Sequence, residues 1–407
     1  MNISNPDPSS AGLHKTRIAR VGEHLDGRYI KPRKIPGSIV AVVRGGQLGY
    51  VHSSGFADIE RQRPVAEDTV FRIYSMTKPI TSVALMTLWE RGLVTLTDPI
   101  GRFLPELADL RVWTGGSWPN FETRHADRPI TVRDLLCHTS GLTYDFMQAS
   151  NLDYAYRKLA VARPRAGYSF QSFIDQLAGL PLAFSPGDRW NYSVATDVLG
   201  VLVERISGMP FASYLQETIF NPLEMKDTGF SPREDQLARF ASSYARNAKK
   251  ELTLYDDAQS SELLGRQNHS GGGGLVSTIG DYLNFCAMLA NRGRFKNRQI
   301  IGRKTLDLMT ANHLPGDVDL ASISMNGFSE TANEGVGFGL GFACKQDSVR
   351  GATPASPGTY YWGGLASTLF WVDPAEDLVV VFMTQLLPSS TFNFRGQLEA
   401  LVYAALE

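Results

Sequence analysis

Phe71-Arg72-Ile73-Tyr74-Ser75-Met76-Thr77-Lys78-Pro79-Ile80 is the stretch on which the reading of this chain turns. Its first four residues are aromatic and branched, like the end of a strand. Pro79 is tolerated only near a helix start, where its missing N–H costs nothing. From Ile80 the chain continues through Val83, Ala84, Leu85, Met86, Leu88 and Trp89, apolar nearly all round, and stops at Glu90-Arg91-Gly92. The pattern predicts a strand, a turn, and a buried helix with Ser75 at its mouth. A helical turn rises about 5.4 Å over about 3.6 residues, so Ser75 and Lys78 share a face and the ammonium reaches the hydroxyl. The helix end also offers unpaired N–H groups and the positive end of its dipole, both of which favour a developing oxyanion beside Ser75. S-x-x-K by itself equally describes a capping Ser and a surface Lys, so its neighbours decide.

Outward from this stretch the two chain ends mirror one another. Ile18, Val21, Leu25 and Tyr29 recur at helical spacing, and Ser38 to Val43 and Leu48 to His52 form a hairpin turned at Gly45-Gly46. At the far end, Ser367 to Val372 and Leu378 to Met383 read as paired strands, and Phe394, Leu398, Leu401, Val402 and Ala405 mark a closing helix. The expected fold class is α+β: one antiparallel sheet drawn from residues 1–100 and 274–407, flanked by N- and C-terminal helices. Residues 101–273, with helical segments at Val132 to Leu136, Ser172 to Leu177 and Val194 to Ile206, are expected to be a mostly helical inserted domain forming one wall of a cleft.

Composition narrows the function. The chain has 407 residues and 43% apolar side chains, enough for a large core. Forty basic residues against forty-one acidic give a net charge of −1, which argues against nucleic acid and anionic membranes as partners and favours a small, roughly neutral ligand. Met1 to Pro8 lacks the basic start and apolar run of a signal peptide, and no apolar run spans a bilayer, so a cytoplasmic location is expected. Cys137, Cys286 and Cys344 are far apart and outside metal-ligand spacing, so free thiols are expected. There is no H-E-x-x-H set and no G-x-S-x-G elbow with acid and His partners, so neither a metal nor a cofactor is expected. Monomer and dimer both fit.

Two further constellations join Ser75 and Lys78. Trp190-Asn191-Tyr192-Ser193-Val194 places Tyr192 at a loop-to-helix junction, where a phenol acidified by a nearby ammonium is a candidate to take the Ser proton and return it to the leaving alkoxide. Tyr361-Trp362-Gly363-Gly364-Leu365 puts two glycines on a strand where something must approach the backbone closely. There the Leu365 N–H is expected to join that of Ser75 as an oxyanion hole, with Trp362 as an apolar wall. Gly271 to Gly274 has no P-loop Lys-Ser/Thr after it and reads as a tight return from insertion to sheet. His138 reads as a hydrogen-bonded loop residue.

Taken in order, S-x-x-K at Ser75, Y-S at Tyr192 and W-G-G at Trp362 resemble the serine β-lactamase and penicillin-recognising superfamily on its class C side, and family VIII carboxylesterases in particular. Leu135 to Leu142, Gly271 to Leu275 and Gly337 to Gly341 extend the resemblance over nearly the whole chain. It implies the β-lactamase fold, with Ser75 as the acylated nucleophile, Lys78 as its activating partner and Tyr192 as the third catalytic residue. Class C enzymes have Y-x-N where this chain has Val194, and K-T-G where it has Trp362-Gly363-Gly364. The missing amide, cation and hydroxyl argue against efficient β-lactam hydrolysis and favour small-molecule esters with short acyl chains, with weak cephalosporin hydrolysis retained. Tyr144, Trp190, Trp362, Gly363 and Gly364 are the expected substrate contacts. A β-lactamase or D-amino-acid peptidase is the alternative, and a non-catalytic binding protein the remote one. Which of Lys78 and Tyr192 acts as base stays open.

Overall fold

The structure, a computed structural model, describes residues 3–161, 169–265, 269–325 and 333–407. Met1 and Asn2 of the N-terminal stretch lie outside them. Eight strands form the main sheet: β1 (Gly37–Arg44), β2 (Gln47–Asp58), β3 (Arg63–Pro64), β4 (Val336–Phe338), β5 (Ala343–Lys345), β6 (Tyr360–Gly363), β7 (Leu369–Asp373) and β8 (Leu378–Thr384). Their order is β4-β5-β6-β7-β8-β1-β2-β3, antiparallel throughout. The chain ends meet at the β1–β8 ladder, in unbroken register from Ser38 opposite Thr384 to Arg44 opposite Leu378. Gly45 (φ +57) and Gly46 (φ +73) turn the β1–β2 hairpin, a backbone that side chains with a Cβ resist.

β8 is buried along its whole length, and β1 up to its last residue, because helices cover both sheet faces. Leu369 stands opposite Phe382 and Phe370 opposite Val381, so Phe370 and Phe382 point to different faces. Phe382 meets Phe394 of α5 (Phe394–Tyr403) at 5.2 Å, and Phe370 meets Tyr282 of α4 (Ile279–Ala290) at 5.2 Å. The first helix, α1 (Lys15–Leu25), continues to Tyr29, whose ring lies 4.9 Å from Phe394 and whose hydroxyl donates to Gln397 at 2.6 Å. The terminal helices thus close one face together. On the other side α2 (Thr77–Glu90) is buried from Thr77 to Met86 and packs on α3 (Ala195–Ser207). Its all-round apolar sequence reflects neighbours on every side.

Within residues 101–273 the expected helices are present at Val132–Leu136, Phe170–Ala178 and Ala195–Ser207. Two hairpins, Val112–Ser117 with Asn120–Arg124 and Ser243–Arg246 with Leu252–Asp256, amend the picture of a mostly helical insertion. The first is short and largely exposed, with Gly115-Gly116 in one strand, so its sequence carries only a weak strand pattern. The second pairs in parallel with Leu386–Leu387, just beyond β8. It is pinned by Arg72, a fully buried guanidinium 2.7 Å from Asp256 and stacked 4.1 Å over Phe240. Cys137, Cys286 and Cys344 are free and buried. No single helix among the described residues is long and apolar enough to cross a membrane.

Candidate active site

The strand Phe71–Arg72 ends in a 3₁₀ turn, Tyr74–Met76, that delivers Ser75 to the N-terminus of α2. Tyr74 has φ +42, a strained value for a non-glycine residue directly before the candidate nucleophile. The turn is held from outside: Tyr282 Oη donates to the Met76 carbonyl at 2.9 Å, and the Leu275 N–H to Thr77 Oγ1 at 3.1 Å. Lys78, one turn on, donates to Ser75 Oγ at 3.3 Å and to the Gly272 carbonyl at 2.6 Å. Tyr192 Oη donates to Ser75 Oγ at 2.7 Å. Ser75 is 9% exposed, Lys78 2% and Tyr192 1%, so Ser75 keeps more contact with solvent than either of its two partners.

Tyr192 sits in an aromatic cage. His138 (5.0 Å between ring centres), Tyr144 (5.3 Å), Trp362 (5.4 Å) and Trp190 (6.2 Å, near-parallel) surround its ring. The loop before α3 is tied down by Asn191, whose amide donates to the Leu142 carbonyl at 3.0 Å, and by Ser193, 3.2 Å from His138 Nδ1. His138 is buried, and its burial, with a smaller push from Lys78, drives the imidazole well below its usual range, so it stays neutral at pH 7. Lys78 Nζ lies 4.5 Å over the Tyr192 ring and 5.3 Å over that of Tyr144, both within cation–π range.

Trp190 and Trp362, expected as substrate contacts, are both fully buried. They back the Tyr192 ring rather than line open space, and Phe338 wedges between them at 5.5 and 5.3 Å. Tyr144 is partly exposed and stacks on Phe146, 40% exposed, at 4.6 Å. Beyond Trp362 the chain turns sharply: the Gly364 N–H donates to the Thr368 carbonyl at 2.8 Å, and the Ser367 N–H to the Gly364 carbonyl at 2.9 Å. A Cβ at Gly364 would collide with the carbonyl of Ile73, two residues before Ser75. Glycine is therefore what lets the Gly363–Leu365 turn abut the Ser75 turn. The Leu365 N–H has no acceptor within the protein among the described residues.

One participant, Asp197, was not legible in the sequence, and another, the four-glycine run, was legible only as a turn. Asp197, in the first turn of α3, is fully buried; it accepts from Ser270 Oγ at 2.5 Å, the Gly272 N–H at 3.1 Å and Tyr144 Oη at 3.5 Å. Burial raises its carboxyl above the usual range, with Lys78 and these donors opposing. The four-glycine run also does more than return the chain to the sheet. Side chains at Gly271 or Gly272 would strike the Thr196 carbonyl or Asp197, and the bare backbone brings the Gly272 carbonyl onto Lys78. An Asp inside an apolar helix start, followed far along by bare glycines, was the only trace of this contact. No group of His, Cys, Asp and Glu among the described residues could hold a metal ion.

The chain resembles known proteins along nearly its full length. The Beta-lactamase family model matches residues 23–404. Esterase EstB of Burkholderia gladioli is 30% identical over 406 residues, covering 94% of each chain. The solved structure of EstCE1, described as a hydrolase with promiscuous acyltransferase activity, superposes with a TM-score of 0.80 at 27% identity, covering 96% of this chain and 98% of that one. Unliganded simvastatin synthase (LovD) from Aspergillus terreus gives 0.80 at 27% identity, covering 98% and 99%.

Proposed function

Since the chain belongs to the Beta-lactamase family and is a serine hydrolase with the fold of the family VIII-like esterases, we propose that it is a carboxylesterase that hydrolyses short-chain acyl esters through an acyl-Ser75 intermediate. The observation that carries the reading is the convergence of Tyr192 Oη and Lys78 Nζ on Ser75 Oγ, at 2.7 and 3.3 Å. Tyr192, as phenolate, takes the Ser75 proton while Oγ bonds to the ester carbonyl carbon. Lys78, held as ammonium by the Gly272 carbonyl and lying over the phenol ring, favours that phenolate. The carbonyl oxygen becomes an oxyanion facing the N–H groups of Ser75 and Leu365. When the C–O bond to the alcohol breaks, Tyr192 returns its proton to the departing alkoxide. Water, deprotonated by the same phenolate, then adds to the acyl carbon, and as the C–Oγ bond breaks the phenol returns that proton to Ser75 Oγ and the acid leaves.

Neutral esters fit better than β-lactams. Val194 is buried at the start of α3 and offers no amide to a β-lactam side chain, and Trp362-Gly363-Gly364 supplies neither the cation nor the hydroxyl that draws its carboxylate. An alcohol in place of water is a second reading, favoured by the likeness to EstCE1, a hydrolase with promiscuous acyltransferase activity. The test is an assay of p-nitrophenyl acetate, butyrate and longer esters beside a chromogenic cephalosporin, with and without added alcohol. It compares wild type with Ser75→Ala, Lys78→Ala and Tyr192→Phe. Acetate and butyrate are expected to be the best substrates, each variant losing at least about a hundredfold in kcat/KM. No ester cleavage by wild type, or undiminished cleavage by Ser75→Ala, would sink the proposal.

A further inference from the structure

The hairpin of residues 243–256 leaves one strand edge open. In its sheet Leu386–Leu387 pairs with Ser243–Arg246 and Ser243–Arg246 with Leu252–Asp256, and among the described residues no strand lies beyond. Main-chain groups in an antiparallel ladder alternate between the partner strand and the far side. The Asn247 N–H donates into the hairpin, to the Glu251 carbonyl at 3.0 Å, and the Tyr244 N–H donates away from it, to the Gln385 carbonyl at 2.9 Å. Leu254 stands opposite Tyr244 and Leu252 opposite Arg246, so the N–H and C=O of both leucines point to the open edge, while those of Thr253 point inward to Ala245. None of these outward groups has a protein partner among the described residues. A bulge at Tyr255 ends the regular ladder.

The same strand is apolar where it is exposed. Among the large apolar side chains exposed in the described residues, Leu254 and Tyr255, 41% and 64% exposed, are the two that are consecutive. Natural sheets guard such edges with proline or charge, and Leu252 to Tyr255 has neither. Charge stands at the two ends instead, with Lys249 and Lys250 before the strand and Asp256 and Asp257 closing it. Glu251, between them, accepts from the Asn247 amide at 3.0 Å. Asp256 already holds Arg72 at 2.7 Å and Asp257 holds Arg61 at 3.0 Å, so these charges set direction rather than strength. Two copies paired antiparallel bring each one's lysines beside the other's aspartates, whereas parallel pairing brings lysine to lysine.

We propose that this edge is the interface of a homodimer, in which two copies of the stretch 252–254 pair antiparallel about a two-fold axis at Thr253. Leu252 of each copy then stands opposite Leu254 of the other, and each such pair exchanges both of its N–H···O=C bonds. The outward groups lie one residue either side of Thr253, which is the self-complementary arrangement a two-fold requires. All four leucine side chains share one face of the joined sheet. Thr253 meets its own copy at the axis in a pair without hydrogen bonds. So short a contact gives a dimer that dissociates on dilution.

The test is sedimentation equilibrium of the full-length protein at rising concentration, with cross-linking to check the register. Wild type is expected to dimerise with a Kd of about 10–100 µM. Leu254 lies outside the core, so Leu254→Lys is expected to stay monomeric up to about 500 µM at the wild-type melting temperature. Thr253→Cys puts two thiols across the axis on Cα atoms about 4.5 Å apart, within disulfide range. It is expected to give a disulfide-linked dimer under mild oxidation, because Cys137, Cys286 and Cys344 are buried. Leu254→Cys sets its thiols on a diagonal of about 7–8 Å and is expected to cross-link at least about tenfold more slowly. A wild type still monomeric at about 500 µM, a dimer that survives Leu254→Lys, or equal cross-linking at the two positions each overturns the proposal.

Discussion

Replacing Asp197 by Ala is expected to damage catalysis through the groups it holds in place, the Gly272 peptide first among them. The carboxylate fixes the Gly272 peptide through its N–H at 3.1 Å, and the carbonyl of the same residue holds the Lys78 ammonium at 2.6 Å. Removing it strands the buried Gly272 N–H, whose lost partner costs about 1–3 kcal/mol, while the half-buried Ser270 hydroxyl can turn to water, so a destabilisation of about 1–3 kcal/mol follows. The glycine run then loses the anchor on its N–H side and keeps those on its carbonyls, Thr81 Oγ1 at Gly271 and Lys78 at Gly272, so it can relax together with the ammonium. Displacing a catalytic group by about 1 Å costs on the order of a hundredfold in rate, which sets the expected fall in kcat/KM. Asp197→Asn keeps the volume and one acceptor, so its stability is expected to lie much nearer wild type. Its activity is expected to fall between those of wild type and Asp197→Ala. The measurement is kcat/KM for p-nitrophenyl butyrate on protein shown by thermal melting to be folded at the assay temperature. If folded Asp197→Ala retains kcat/KM within about threefold of wild type, the Asp197–Gly272–Lys78 chain does not position the ammonium and the reasoning fails.

Tyr192→Phe removes the 2.7 Å hydrogen bond while the aromatic cage still holds the ring, so kcat is expected to drop by about 10²–10⁴ with a melting temperature close to wild type. A comparable loss of stability would mean that the hydroxyl is structural. Gly364→Ala drives a Cβ into the Ile73 carbonyl and is expected to lower kcat far more than it changes KM; unchanged steady-state kinetics would refute the close approach. Burial pushes Asp281 up to about 6, against donors from Thr228 and the Asp227 N–H. A raised carboxyl favours the protonated fold, so its contribution is full below the ordinary value near 3.8 and fades as pH rises through about 6, by about 3 kcal/mol in all. Denaturant unfolding between pH 4 and pH 7 is expected to show this slope in wild type and to lose it in Asp281→Asn. Leu85→Ala, within the buried stretch of α2, is expected to cost about 2–5 kcal/mol in the same experiment.

Local pattern was enough wherever a contact is written into spacing. Ser75 and Lys78 meet because one helical turn makes them meet, and the Gly45-Gly46 hairpin and the two terminal strands were legible from alternation and turn chemistry. The helix after Tyr192 and the junction that carries Tyr192 were legible for the same reason. What no local pattern carries is the meeting of segments far apart in the chain. Tyr192 reaches Ser75, Gly272 reaches Lys78, Asp197 reaches Gly272, and the Gly364 turn reaches Ile73, each by tertiary packing that a periodicity does not encode. Burial is decided at the same level. Trp190 and Trp362 look like cleft walls as residue types, yet Phe338 and the rings around Tyr192 close over them and make them its support. The sequence by itself therefore determined the candidate nucleophile, its helix and the strands beside it, because those follow from short-range geometry. Only the tertiary structure decided which groups surround that nucleophile, because desolvation and hydrogen-bond partners belong to the packed chain.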